Sequence, residues 1–178
     1  MTISADALIE KLRPLKLLIF DVDGVLTDGR IIYDNAGVES KAFDVKDGHG
    51  IKLLMRCGID VGIITARESN VVAVRAANLG IGIVFQGMKD KLKAFEEILK
   101  TTGLDPSRIG YVGDDIIDLP VIRRVGFSAS VADGVSEVRE RVDYVAGKNG
   151  GCGAAREIAE LVLKAQGHWD SVLAGYLR

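Results

Sequence analysis

The chain alternates short apolar runs with longer amphipathic stretches. Residues 17–20, 60–64, 81–85 and 108–112 are dominated by Leu, Ile, Val and Phe, and polar or turn-forming residues follow each run. Apolar runs of this length predict strands buried on both faces. Two more strands are predicted at 127–131 and 143–146. Apolar positions recur at helical spacing over 50–56, 68–78, 89–102, 116–124, 135–141 and 154–166. Residues 2–13 form a further amphipathic helix ended by Pro14. Residues 168–178 read as a tail after the last helix. Strand-like runs at 30–33 and 38–44 flank Asp34-Asn35-Ala36-Gly37 and predict a hairpin, closed by Asp47 and Gly48.

Strands and helices alternating at this pitch predict βαβ units, hence an α/β fold. The expected architecture is a three-layer, Rossmann-like parallel sheet with helices on both faces. At 178 residues the chain suits one domain, 1–178, with a hairpin insertion at 28–47. Composition changes little in this picture: 48% of residues are apolar and only 6% aromatic, as befits an α/β core. The formal net charge of −2 gives no global attraction for nucleic acid or an anionic membrane, so neither is expected as a partner. Any anionic substrate must be drawn by local Lys and Arg. Cys57 and Cys152 form no C-x-x-C pair; Cys57 is expected in the core and Cys152 to be inert. No signal segment or membrane-length apolar run is evident, so a soluble, cytoplasmic protein is expected.

Three predicted βα junctions carry the candidate chemistry. Asp21 and Asp23 follow the first strand, Thr65 and Arg67 the second, and Asp114, Asp115 and Asp118 the fourth. In open α/β sheets that edge is where ligands bind. Asp21 and Asp23 start out on one face of an extended chain, and two adjacent carboxylates need compensation. By itself D-V-D-G is equally readable as a solvated acidic turn or as a cation site. Acidic side chains at several strand ends, with no histidine among them, suit a hard cation with oxygen ligands, most plausibly Mg²⁺. An aspartate can attack phosphorus, given a cation to neutralise the phosphoryl oxygens. Lys91, at a helix start, can supply that charge, and Thr65 a hydroxyl.

The motifs together resemble those of the haloacid dehalogenase-superfamily phosphatases. The resemblance rests on D-V-D-G-V-L-T at 21–27, I-I-T-A-R at 63–67, the lysine of K-D-K at 89–91 and G-D-D-I-I-D at 113–118. It implies that Asp21 is the nucleophile and a Mg²⁺ ligand. Asp23 would be the general acid/base, its main-chain carbonyl reaching the metal. Thr65 and Lys91 would hold the phosphoryl group, Gly24 would line the substrate site, and Asp114 would ligate Mg²⁺. Of Asp115 and Asp118, one is expected to act through water and the other structurally.

Within the superfamily the chain is similar to the 3-deoxy-D-manno-octulosonate 8-phosphate phosphatases. That similarity rests on the hairpin in place of a cap domain, F-D-V-K-D-G-H-G-I at 43–51, and G-G-C-G-A-A-R-E-I-A-E-L-V-L-K-A-Q-G at 150–167. It implies a sugar-acid phosphate substrate on the way to the lipopolysaccharide inner core. It also implies a homotetramer whose hairpins assemble. A hairpin this small cannot bury its faces alone, so Ile31, Ile32 and Tyr33 are expected at that interface; the bland alternative is a surface hairpin in a monomer. Motif two reads T-A-R where T-G-R is common.

Arg67 is expected to pair with a substrate carboxylate; the bland alternative is a surface ion pair with Glu68 or Asp60. Lys41 and Lys46 could attract the sugar acid, but lone lysines of this kind read as solvated; His49 reads as either a contact or packing, and His168 and Trp169 as the start of the tail. Two other functions compete: a 9-phosphate phosphatase for a nine-carbon sialic or deaminated-neuraminic acid, and a non-catalytic phosphatase-like oligomerisation module. The intact Asp21/Asp23 pair argues against the second.

Overall fold

The computed structural model describes residues 4–178; Thr2, in the predicted first helix, lies outside the described residues. Six parallel strands form one sheet: β1 (Leu17–Phe20), β4 (Asp60–Ile64), β5 (Ile83–Phe85), β6 (Ile109–Val112), β7 (Phe127–Ser130) and β8 (Tyr144–Val145). Their order is β5-β4-β1-β6-β7-β8. The chain therefore leaves β1 in one direction and later returns to its other side. That reversal makes the carboxyl end of β1, flanked by β4 and β6, the switch point at which an open α/β sheet forms a crevice.

Burial follows from the strand alternation. Leu18 and Phe20 face one core, shared with α1 (Ala5–Leu12), α2 (Val45–Arg56), α3 (Asn70–Leu79) and α7 (Ala154–Ala165). Leu17 and Ile19 face the other, against α4 (Lys91–Thr102), α5 (Leu119–Ile122) and α6 (Ser136–Arg139). All four residues of β1 are fully buried, so the strand has no polar face to spare. The polar groups that follow it are consequently presented at its end.

Besides strand and helix ends trimmed by a few residues, three differences from the expectations stand out. Helix α2 begins at Val45 rather than Gly50, so Asp47 and Gly48 belong to its first turn and do not close the hairpin. The reason is a cap: the Asp44 carboxylate accepts the Lys46 and Asp47 N–H groups, the bonds that start a helix. Asp47 then reaches across to α7, accepting the Arg156 N–H at 2.7 Å and the Gly153 N–H at 3.3 Å. The segment 168–178 contains a further helix, α8 (Trp169–Ala174), where a tail was expected. Trp169 anchors it, with the Arg156 guanidinium 5.7 Å and the Lys164 ammonium 5.1 Å from its ring. The predicted helix 116–124 is a 3₁₀ turn at Ile116–Asp118 running into the one-turn α5. Cys57 caps α2 at the core margin, and Cys152 is exposed.

The hairpin is short: β2 (Ile32–Tyr33) and β3 (Glu39–Ser40) pair antiparallel, with Tyr33 opposite Glu39. Asp34 makes the turn, its Oδ1 accepting the Ala36 and Val38 N–H groups at 2.8 Å.

Candidate active site

Asp21 extends β1 by one bond, its N–H donating to the Val112 carbonyl at 3.0 Å. Its carboxylate is thereby fixed over the switch point and is only 4% exposed. Oδ1 accepts the Val22 N–H at 2.7 Å, and Oδ2 lies 2.7 Å from the Lys91 ammonium. Burial pushes the Asp21 carboxyl up to about 7, against the opposing pull of Lys91. Lys91 opens α4 behind the Asp90 cap and is itself buried. Burial lowers the Lys91 ammonium, but the Asp21 and Asp118 carboxylates outweigh that and hold it above its ordinary value.

Asp118 is the post on which this arrangement stands. Its Oδ1 accepts from Lys91 Nζ and from the Tyr111 hydroxyl, each at 2.6 Å. Its Oδ2 accepts the Asp114 and Asp115 N–H groups at 3.0 and 3.1 Å. With both oxygens engaged and no exposure, Asp118 is the structural member of the acidic set. Asp115 is exposed and caps the 3₁₀ turn, its Oδ1 accepting the Ile116 N–H at 2.7 Å.

Asp114 is the carboxylate without a partner. Its Oδ1 is buried and makes no hydrogen bond. Burial, then Asp21 and Asp118, push its carboxyl up to about 8. Oxygens of Asp21, Asp114 and Asp118 lie within 4.8 Å of one another. Since Asp118 is committed elsewhere, Asp21 and Asp114 are the pair open to a cation, and an oxygen-only donor set fits a hard divalent ion. Gly24 leaves them room: its φ is +93°, and a Cβ there would fall inside the Asp114 carboxylate. Behind this loop, Gly151 donates its N–H to the Val25 carbonyl at 3.0 Å. A Cβ on Gly150 or Gly151 would strike the backbone at Gly24 or Thr27. The glycine-rich segment at 150–153 thus packs directly on the first acidic loop.

Thr65 follows β4, beside β1, and is buried. Arg67 pairs with neither Glu68 nor Asp60. Its Nη2 donates to Glu39 at 2.8 Å and to the Tyr33 hydroxyl at 3.0 Å, so the hairpin holds it. Asp23 lies beside the hairpin too, its Oδ1 paired with Lys41 and its Oδ2 3.7 Å from Arg67 Nε. Lys41 is not solvated as its sequence context suggests: its side chain is 1% exposed. Lys41 and Glu39 are site residues that the sequence reading missed. The available signal was their spacing, since residues two apart in an extended run share a face, and Lys41 directly follows β3. His49 meets Tyr176, edge to face at 5.9 Å between ring centroids, with the Tyr176 hydroxyl 3.3 Å from Nε2.

Residues 68–158 match the haloacid dehalogenase-like hydrolase family. The chain is 47% identical over 168 residues to the 3-deoxy-D-manno-octulosonate 8-phosphate phosphatase KdsC of Escherichia coli (strain K12), covering 94% of this chain and 89% of the relative. The crystal structure of the phosphatase of that name from Yersinia pestis superposes with a TM-score of 0.92 at 44% identity, over 94% of this chain and 90% of that one. The one from Moraxella catarrhalis, in complex with magnesium ion, phosphate ion and a KDO molecule, gives a TM-score of 0.95 at 43% identity, over 97% and 99%.

Proposed function

The chain belongs to the haloacid dehalogenase-like hydrolases, and we propose that it is a Mg²⁺-dependent phosphomonoesterase that hydrolyses 3-deoxy-D-manno-octulosonate 8-phosphate to the free sugar acid and phosphate. The relatives' names supply the substrate, and a relative holding magnesium, phosphate and KDO supports both substrate and cofactor. One observation carries the reading: Asp21 stands at the sheet's switch point, gripped by Lys91, beside an Asp114 oxygen that has no partner of its own.

Asp21 attacks phosphorus, forming an O–P bond as the bond to the sugar O8 breaks. Asp23 gives its proton to that departing oxygen, which leaves as the alcohol. Lys91 and the Thr65 hydroxyl hold the phosphoryl oxygens as charge spreads over them, and Gly24 keeps the backbone clear of the group. Asp23 then takes a proton from water, whose oxygen attacks phosphorus; the Asp21 O–P bond breaks and phosphate is released. Mg²⁺, held by the Asp21 and Asp114 carboxylates and the Asp23 carbonyl, supplies charge neutralisation at the phosphoryl oxygens. Arg67 takes the substrate carboxylate once Glu39 yields it.

The same reading makes the protein a cytoplasmic homotetramer. Ile31, Ile32, Tyr33 and Val38 are each about half exposed on a two-stranded hairpin that buries little by itself, which supports pairing with other copies. Among the described residues no helix is long and apolar enough to cross a membrane. A sedimentation profile of a monomer at working concentration contradicts the assembly.

Asp21→Asn tests the mechanism. Phosphate release is expected to fall by a factor on the order of 10⁴ or more, with the circular dichroism spectrum unchanged. Retained turnover contradicts the assignment of the nucleophile.

A further inference from the structure

Of the two lysines that follow the hairpin turn, Lys46 is exposed, whereas Lys41 is sealed from solvent although its neighbours Ser40 and Ala42 are exposed. Sealing an ammonium from water is costly unless it is paired. Lys41 has two partners: the Asp23 carboxylate and, at 3.4 Å, Glu39 Oε1. Glu39 also accepts from Arg67 and from the Ser69 hydroxyl, and Arg67 Nε turns back toward Asp23 Oδ2 at 3.7 Å. Asp23, Lys41, Glu39 and Arg67 therefore close a ring of alternating carboxyl and cationic side chains drawn from the β1 loop, the hairpin and the β4 loop.

A staple for the hairpin needs no contact with Asp23, because Glu39 already ties β3 to Arg67 and Ser69. The additional contact engages one oxygen of Asp23 and spares the other. Oδ1 is bound to Lys41, while Oδ2 stands beyond hydrogen-bond distance of Arg67. We propose that Lys41 is a positioning residue for catalysis: it fixes Asp23 by Oδ1 and leaves Oδ2 free to exchange a proton with the leaving oxygen. This rests on the phosphatase reading above and on Asp23 as the acid. The hairpin then sets the aim of the acid.

The test is the dependence of kcat/KM on leaving-group pKa, across alkyl and aryl phosphates without a carboxylate, so that sugar-acid binding plays no part. This ratio ends at leaving-group departure and is blind to the later attack by water. Acid assistance matters most for alkoxides and least for nitrophenolate. In Lys41→Met, alkyl phosphates are expected to lose roughly 10- to 100-fold more kcat/KM than nitrophenyl phosphate, and Lys41→Arg to recover part of the difference. A uniform loss across the series, or none, overturns the proposal and leaves Lys41 a structural staple. Should Lys41→Met lose its circular dichroism spectrum, Lys41→Arg decides alone: a steeper dependence than wild type supports positioning, and an unchanged one overturns it. Wild-type enzyme inactive on every phosphate, 3-deoxy-D-manno-octulosonate 8-phosphate included, contradicts the phosphatase reading itself, and this proposal falls with it.

Discussion

The Lys91 ammonium and the Asp118 carboxylate meet at 2.6 Å with neither side chain exposed to solvent. Such a pair holds because each group has further partners. Lys91 also reaches Asp21, and Asp118 accepts from Tyr111 and two main-chain N–H groups. The position of Asp21, the proposed nucleophile, is therefore set by a residue on the far side of the lysine.

Removing the charge on Asp118 leaves the buried ammonium with Asp21 as its remaining carboxylate partner. Asp118→Asn is expected to cost about 3–5 kcal/mol of folding stability by urea denaturation, and to lower turnover because Lys91, no longer braced from its far side, shifts against Asp21. A loss under about 1 kcal/mol contradicts the role of Asp118 as the post.

Gly24 tests how tightly the first acidic loop approaches the third. At φ +93°, with a Cβ directed into the Asp114 carboxylate, Gly24→Ala must strain the backbone and displace that side chain. About 1–3 kcal/mol of stability should be lost. Mg²⁺ affinity should weaken on the order of 10-fold or more, read by calorimetry. Unchanged affinity contradicts Asp114 as a ligand.

The raised carboxyls make metal binding a function of pH. In metal-free protein Asp21 and Asp114 shift from 3.8 to about 7 and about 8. A carboxyl raised in the folded state is held protonated there while the unfolded chain ionises. Its penalty is thus absent below the ordinary value and complete above the raised one, and metal-free stability falls as pH rises between them. Mg²⁺ needs the carboxylates, so the increase in Tm that it produces should be small near about pH 5 and large near about pH 8. A shift that is constant or shrinks over that range contradicts the site.

Much of this was legible in the sequence because it lies in contiguous patterns. Leu17–Phe20 and Asp60–Ile64 are strands over the residues that the apolar runs marked. Asp21, Thr65 and Asp114 follow neighbouring strands because the runs that carry them pair in the sheet. What escaped depends on contacts distant in sequence. Gly48 and Gly50 discourage a helix locally, yet α2 includes both: Asp44 caps it, and α7 packs so close that a Cβ on Gly50 would meet Arg156. Lys41 looks like any surface lysine until the hairpin folds back and Asp23, 18 residues earlier, becomes its partner. Helix α8 forms because Trp169 finds Arg156 and Lys164 on α7.

The most direct test of the account is Mg²⁺-dependent phosphate release from 3-deoxy-D-manno-octulosonate 8-phosphate. Nine-carbon 9-phosphononulosonates and simple sugar phosphates run beside it, with Asp21→Asn as the blank. The account predicts release that needs Mg²⁺, favours the eight-carbon acid by at least about 10-fold in kcat/KM, and vanishes in the blank. Preference for a nine-carbon acid contradicts the proposed substrate while sparing the mechanism. No release from any of them, with Mg²⁺ bound, contradicts the account at its centre.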